Sequence, residues 1–268
     1  MKKKRLIPIV LILNGWVVQS KNFNEYQRLG NPLQTVSRLS EWCSDEIIYL
    51  DITKNNQYDL NRDDQNYPNR KNFKSIIKDV SKRCFAPFCI GGNLKETNQI
   101  NEYLLMGADK ISINTEAINN ISFLRESALK FGSQCVVCSI DAKRIDDKYF
   151  VYNSKKREIT NLLLDEYCKK IEDNGAGEIL INSVDRDGKG QGFDIELINL
   201  VENRVSLPII ACGGAGDYSH FEEIFKKTDV DAVAAANFFQ YKDQSVYYTK
   251  KFLVENNVNI RDPDIMEI

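Results

Sequence analysis

Histidine is nearly missing from this chain: His220 stands alone among 268 residues. A single imidazole cannot furnish a site that needs several histidines, a three-histidine zinc centre or an HExxH helix, so counting excludes those chemistries. An excess of one charge is missing too. Lys plus Arg total 36 against 38 Asp plus Glu, a net charge of −2, which argues against a whole-chain electrostatic footprint for nucleic acid or anionic lipid. Nor is any apolar run near the roughly 20 residues needed to cross a bilayer.

The N-terminus comes nearest to a targeting segment. MKKKRLIPIVLILNGWVV joins a basic start to an apolar run, as a secretory signal does. Its apolar core, Leu6–Leu13, holds Pro8 and stops at Asn14-Gly15, and no small-x-small cleavage site follows promptly. A short apolar run halted by Asn-Gly reads as a buried strand ending in a turn, and the expected location is the cytoplasm. The seven cysteines (43, 84, 89, 135, 138, 168 and 212) agree. Their number is odd and most sit in apolar runs, which suits reduced core thiols better than a disulfide framework. Cys135 and Cys138 spell CxxC, but residues three apart on a strand face opposite sides. No metal is expected there, and no cofactor elsewhere.

What the chain has is 43% hydrophobic residues, enough for a large core, laid out in a recurring order. Short apolar runs bounded by Gly, Pro, Asn or Asp occur at Ile7–Leu13, Glu46–Ile52, Phe85–Ile90, Lys110–Asn114, Cys135–Asp141, Glu178–Asn182, Leu207–Ala211 and Ala232–Ala236. Such runs predict buried strands. Between them lie amphipathic stretches, among them Thr35–Trp42, Phe73–Arg83, Leu94–Leu105, Ile121–Phe131, Asp165–Asp173 and Phe193–Asn203. Eight strands alternating with helices predict an α/β fold, a (β/α)8 TIM barrel filling residues 1–268 as one domain. Alternation by itself leaves an open doubly wound sheet as the alternative. The polar segment Asn55–Arg70 follows the second strand at the face where barrel active sites sit, and is expected to be a mobile loop. The tail after Asn256 reads as a surface terminus.

The two halves repeat each other, dividing near residue 130. Pro87-Phe-Cys-Ile-Gly-Gly-Asn93 answers Pro208-Ile-Ile-Ala-Cys-Gly-Gly214, and Gly107–Asn114 answers Val230–Asn237. Repetition at half the chain length suggests a doubled half-barrel. Twice, a Gly-Gly at a strand end is followed by a strand ending in Asn. Glycine-exposed backbone N–H groups in that setting suit phosphate. The expected cradles are Asn93, Asn114 and Thr115 in one half, and Gly188, Gly213, Gly214 and Asn237 in the other.

Several motifs occur in order between about Lys4 and Phe252: Tyr49–Ile52, Gly107–Thr115, Phe131–Val137, Ile140–Arg144, Gly175–Leu180, Asp185–Gly188 and Ala211–Gly216. Together they resemble the cyclase subunit family of imidazole glycerol phosphate synthase. The resemblance implies a (β/α)8 barrel, a glutaminase subunit as heterodimer partner, and ammonia passing through the barrel to a bis-phosphorylated substrate at the far mouth. It places the ammonia gate on Arg5, Glu46, Lys110 and Glu178, and a partner-facing residue on Asp109.

The chain departs from the family where chemistry is done. The fifth-strand catalytic acid is kept as Asp141, but alignment on Pro8 and Gly15 puts Leu11 where the first-strand acid belongs. Gln19 replaces the lysine that follows. Asn93, Asn182, Cys212 and Asn237 replace a Gly, a Thr and two Ser. Leucine cannot exchange a proton and an amide does not titrate, so acid–base catalysis loses two participants. Loss at one end and retention at the other fits an offshoot of the family that accompanies a glutaminase-like subunit and a sugar amidotransferase in surface-polysaccharide synthesis. The alternatives are an active cyclase, a lyase of histidine biosynthesis forming imidazole glycerol phosphate and aminoimidazole carboxamide ribotide, and the sister isomerase of that pathway.

Overall fold

Apolar runs buried on both faces fold as parallel strands, and the computed structural model, which describes residues 2–54, 58 and 71–264, shows eight of them. In chain order the strands are β1 (Arg5–Leu13), β2 (Trp16–Lys21), β3 (Glu25–Gly30), β4 (Ile47–Asp51), β5 (Phe88–Gly91) and β6 (Lys110–Ile113). They continue as β7 (Val136–Ile145), β8 (Lys148–Asn153), β9 (Glu158–Leu163), β10 (Glu178–Ser183), β11 (Ile209–Cys212) and β12 (Ala232–Ala235). The parallel set runs β1, β4, β5, β6, β7, β10, β11, β12, and β12 returns to β1 with Arg5 opposite Ala232. The sheet therefore closes into a (β/α)8 TIM barrel, not an open doubly wound sheet.

Alternation along the strands makes two cores. One set of side chains, including Leu6, Val10, Ile47, Tyr49, Val136 and Ile181, packs under the helices. The other set fills the lumen: Ile7, Ile9, Ile48, Cys89, Val137, Leu180, Ile210, Ala232 and Ala234. The helices start where polar side chains meet their free N–H groups. Asn31 caps Pro32–Glu41 through Leu33 N, Asn72 caps Phe73–Val80 through Ser75 N, and Asp194 caps Ile195–Glu202 through Leu197 N.

Three aspartates fix strand register from below. Asp45, Asp109 and Asp231 each stand just before a strand and accept the N–H that opens the neighbouring strand: Leu6 at 2.8 Å, Phe88 at 2.8 Å and Ile209 at 3.2 Å. Asp109 and Asp231 each stand one residue before their strand, β6 and β12, and hold the strand before it, so the two halves share this hydrogen bond one residue out of step with the sequence repeat.

Several sequence expectations need correction. The run Phe85–Ile90 becomes strand only from Phe88, and Phe85 is 88% exposed. Leu207–Ala211 likewise begins at Ile209, because Pro208 has no N–H to give the ladder. The tail is not all surface: Ile260 is buried and bridges Lys4, whose N–H donates to Asn259 O. Two hairpins were not anticipated. β2–β3 follows β1, and β7 outruns the barrel to pair with β8, which pairs with β9. The expected mobile loop lies outside the described residues apart from Tyr58. Among the described residues no helix is long and apolar enough to cross a membrane.

Candidate functional site

Strand register separates the charged ring from Asp141. Glu178 lies opposite Val137, whereas Asp141 lies opposite Asn182, so the two acids sit at opposite ends of adjacent strands, roughly 13 Å apart along the chain direction.

At the N-terminal end, Arg5, Glu46, Lys110 and Glu178 interlock. Arg5 Nη1 reaches Glu46 Oε2 at 2.7 Å, and its Nη2 pairs with Glu178 Oε1. Lys110 Nζ bonds Glu46 Oε2 and Glu178 Oε2, both at 2.8 Å. Each cation thus holds both carboxylates, and the four residues close a cycle over the lumen. Burial pushes the Glu46 carboxyl above its ordinary range while Lys110 pulls it back. Asp109 is exposed beside the ring, with one carboxylate oxygen already engaged by Phe88 N.

Above the ring the lumen is mostly apolar, with the buried hydroxyls of Ser112 and Ser139 on its wall, up to an upper layer bordered by Leu11, Leu50, Cys212 and Ala236. Asp141 stands in that layer. Asn114 Nδ2 donates to its Oδ2 at 3.0 Å and Asn182 Nδ2 to its Oδ1 at 3.2 Å, with a further bond from Ser154. Burial raises the Asp141 carboxyl, and those three donors act against it. The first-strand position supplies no second acid, because Leu11 packs against the lumen core.

Two acids that the sequence reading did not single out also face the mouth. Asp187 is pushed up to about 7, first by burial and then by the charge of Asp141. Asp51 is raised by burial while Thr53 N and Tyr58 OH hydrogen-bond it. Both belong to quoted motifs, yet only tertiary burial distinguishes them from ordinary carboxylates.

The turn between β8 and β9 bridges the mouth. Ser154 reaches Asp141, Lys155 Nζ lies 3.5 Å from Asn93 Oδ1, and Arg157 Nη1 donates to Asn24 Oδ1 at 2.8 Å on the β2–β3 hairpin. Phe23 stacks edge-on against Tyr152 across the same seam. The aromatic and β-branched run Tyr149–Tyr152, after the turn residues Asp146-Asp147, was the available sequence signal for this hairpin.

The expected phosphate residues do gather in two groups at this end. Asn93 lies just past β5, beside Asn114 and Thr115 just past β6. Gly213 and Gly214 follow β11, and Asn237 follows β12. The side chains are partly engaged: Asn93 Nδ2 donates to Thr53 O, and Asn237 pairs with Ser20. Gln19 donates to Gln27 at 2.8 Å within the hairpin. Cys135 and Cys138 are free thiols in different elements, a 3-10 turn and β7. Two surface clefts, about 320 Å³ beside Cys43 and Arg261 and about 580 Å³ between Arg144 and Glu223, are lined by neither Leu11 nor Asp141.

Comparison with known proteins places this geometry. Residues 5–245 match the family described as histidine biosynthesis protein. The chain is 42% identical over 262 residues to the imidazole glycerol phosphate synthase subunit HisF of Hydrogenobaculum sp. (strain Y04AAS1), covering 97% of this chain and all of that one. It is 37% identical to the subunit of the same name from Streptococcus mutans serotype c, with the same coverage. With the Clostridium botulinum (strain Okra / Type B1) subunit it shares 36% over 260 residues, 96% of this chain and 98% of the relative.

Proposed function

The chain belongs to the histidine biosynthesis protein family as a HisF-like subunit of imidazole glycerol phosphate synthase, and from that premise we propose that it conducts ammonia without closing an imidazole ring. A glutaminase docks at the N-terminal end, around Asp109. Ammonia enters through the Arg5, Glu46, Lys110 and Glu178 gate and travels along the apolar lumen. It leaves at the C-terminal mouth, in the cytoplasm, for a sugar amidotransferase of surface-polysaccharide synthesis.

The observation that carries this reading is Leu11 in the upper layer of the lumen, across from Asp141. Ring closure needs proton transfer from groups within hydrogen-bond reach on both sides of the substrate. Asp141 serves one side, and an alkyl chain faces the other. The ring supports the conduit half: its ion pairs neutralise an opening that a neutral molecule crosses when one pair parts.

A second reading, an active cyclase, is favoured by the three full-length relatives and by the mouth acids Asp141 and Asp187. One assay separates them. The histidine-pathway intermediate is supplied with excess ammonium and no glutaminase, and imidazole glycerol phosphate is measured. Loss of one acid–base group lowers the rate by about 10²–10⁴-fold. Turnover at the level of the HisF relatives overturns the conduit reading. If turnover is low, the double variant Leu11→Asp, Gln19→Lys is expected to restore part of it.

A further inference from the structure

Around Asp141 the hydrogen-bond donors are already spent. An ionised carboxylate only accepts, so each neighbouring amide turns its nitrogen to Asp141: Asn114 Nδ2 to Oδ2 at 3.0 Å and Asn182 Nδ2 to Oδ1 at 3.2 Å. The amide oxygens are thereby turned away. Asn114 Oδ1 and Asn182 Oδ1 are both buried and have no hydrogen-bond partner among the described residues. Asp187 repeats the pattern. It accepts from the Ser20 side chain and the Phe23 backbone, while its buried Oδ2 has no partner.

These groups occupy one arc of the mouth. The strands β6, β7 and β10 are neighbours in the barrel, Asn182 lies opposite Asp141, and the Asp141 charge acts on Asp187. No cation answers them. Lys155 Nζ goes to Asn93 Oδ1 and Arg157 Nη1 to Asn24 Oδ1, and neither acid has an ion pair among the described residues. What remains open is a set of oxygens: two amide oxygens, Asp187 Oδ2 and the spare lone pairs of Asp141. Buried polar atoms are matched in folded proteins, and a set made only of acceptors calls for a ligand made only of donors. An ammonium ion, with four N–H groups and one positive charge, meets both the polarity and the charge. Position 182 sharpens the match. A threonine there would bring a hydroxyl free to donate, whereas the asparagine has spent its nitrogen on Asp141.

We propose that the C-terminal mouth binds one ammonium ion, held by Asn114 Oδ1, Asn182 Oδ1, Asp141 and Asp187. The inference deepens the conduit reading, on which the supply of ammonia to this site rests. Ammonia leaving the lumen meets a carboxyl with a proton to give, because burial and the Asp141 charge push Asp187 up to about 7. The carboxyl O–H bond breaks as an N–H bond forms on the ammonia lone pair. A carboxylate then faces an ammonium, with no change in total charge, and the proton returns to Asp187 when ammonia departs. The two readings can fail separately, since the ammonium test uses this chain alone, without glutaminase or turnover.

Ammonium chloride is titrated into the full chain at neutral pH and constant ionic strength, by calorimetry and by NMR of asparagine-labelled protein. The expected result is one saturable ammonium per chain, with the side-chain amide signals of Asn114 and Asn182 shifting together. Potassium, which has the charge but no N–H donor, should bind more weakly, and tetramethylammonium should not bind. Asp187→Asn and Asn182→Ser should each weaken binding by roughly tenfold to a hundredfold, the loss of one hydrogen bond to a charged group. No saturable binding, potassium bound as tightly as ammonium, or an unchanged affinity in Asp187→Asn would each overturn the proposal. Selectivity is read on the parent chain, so the test stands even if Asn182→Ser does not fold.

Discussion

The two ends of the barrel handle buried charge in opposite ways. At the N-terminal end, two buried carboxylates are shared by two half-buried cations, and their charges cancel within one closed cycle. At the C-terminal mouth, Asp51, Asp141 and Asp187 have no ion-pair partner among the described residues and rest on amide, hydroxyl and backbone donors. Burial raises all three acids, as it raises Glu46 in the ring, but Glu46 is opposed by counter-charges and the mouth acids by hydrogen-bond donors. The difference teaches how each end is built. The ring is a closed cycle of ion pairs across the N-terminal end of the lumen. At the mouth, Asp187 is pushed up to about 7, and Asp51 and Asp141 are raised by burial.

The most damaging way to break the contrast is to take one cation from the ring. Lys110→Met leaves Glu46 and Glu178, with side chains 2% and 7% exposed, sharing Arg5 alone. Stranding a buried charge costs about 3–5 kcal/mol, which urea unfolding would measure. Adding Glu178→Gln removes the excess charge and should recover part of the loss. An unchanged unfolding midpoint in Lys110→Met would show that the ring is solvated and the contrast false.

A smaller effect is expected at the mouth, and it depends on pH. Asp187 titrates near 7 when folded against an ordinary carboxylate value of about 4. Between those values the unfolded chain gives up its proton while the folded one keeps it, so this residue's contribution to stability falls as pH rises and levels off above 7. Asp187→Asn cannot titrate and should gain on the parent between pH 4 and pH 8 by up to about 4 kcal/mol. Thermal unfolding of both proteins at the two pH values gives the comparison. A constant difference would mean that Asp187 is an ordinary carboxylate.

The smallest effect concerns the turn that leads into the ring. Cys43 follows the helix Pro32–Glu41 with φ +63°, a left-handed conformation that costs a side chain about 1 kcal/mol. Cys43→Gly should therefore raise stability by about that amount without disturbing the neighbouring Asp45 or Glu46. A destabilised variant would show that the thiol's packing near Pro263 outweighs the backbone relief.

Much of the barrel was legible because a strand covered on both faces must be apolar throughout. The eight short hydrophobic runs follow from that constraint, and the half-chain repeat from the Gly-Gly and Asn motifs at the strand ends. β3 was not legible, because its residues are exposed or half-buried and carry no burial pattern to read. The cradle residues were named from the Gly-Gly repeat and those of the ring by resemblance to a family, yet sequence could not say which pairs close.

Sequence by itself determined the alternation of strands and helices, since this depends on residue identity and order, while Leu11 and Asp141 acquire a meaning only through the resemblance to a family. Only the tertiary structure decided that Asn237 is bound by Ser20, 217 residues away along the chain, that Lys155 reaches Asn93, and that Asp187 titrates near neutrality. Each of these depends on distance and solvent exclusion between segments remote in sequence, and a linear pattern holds no record of either.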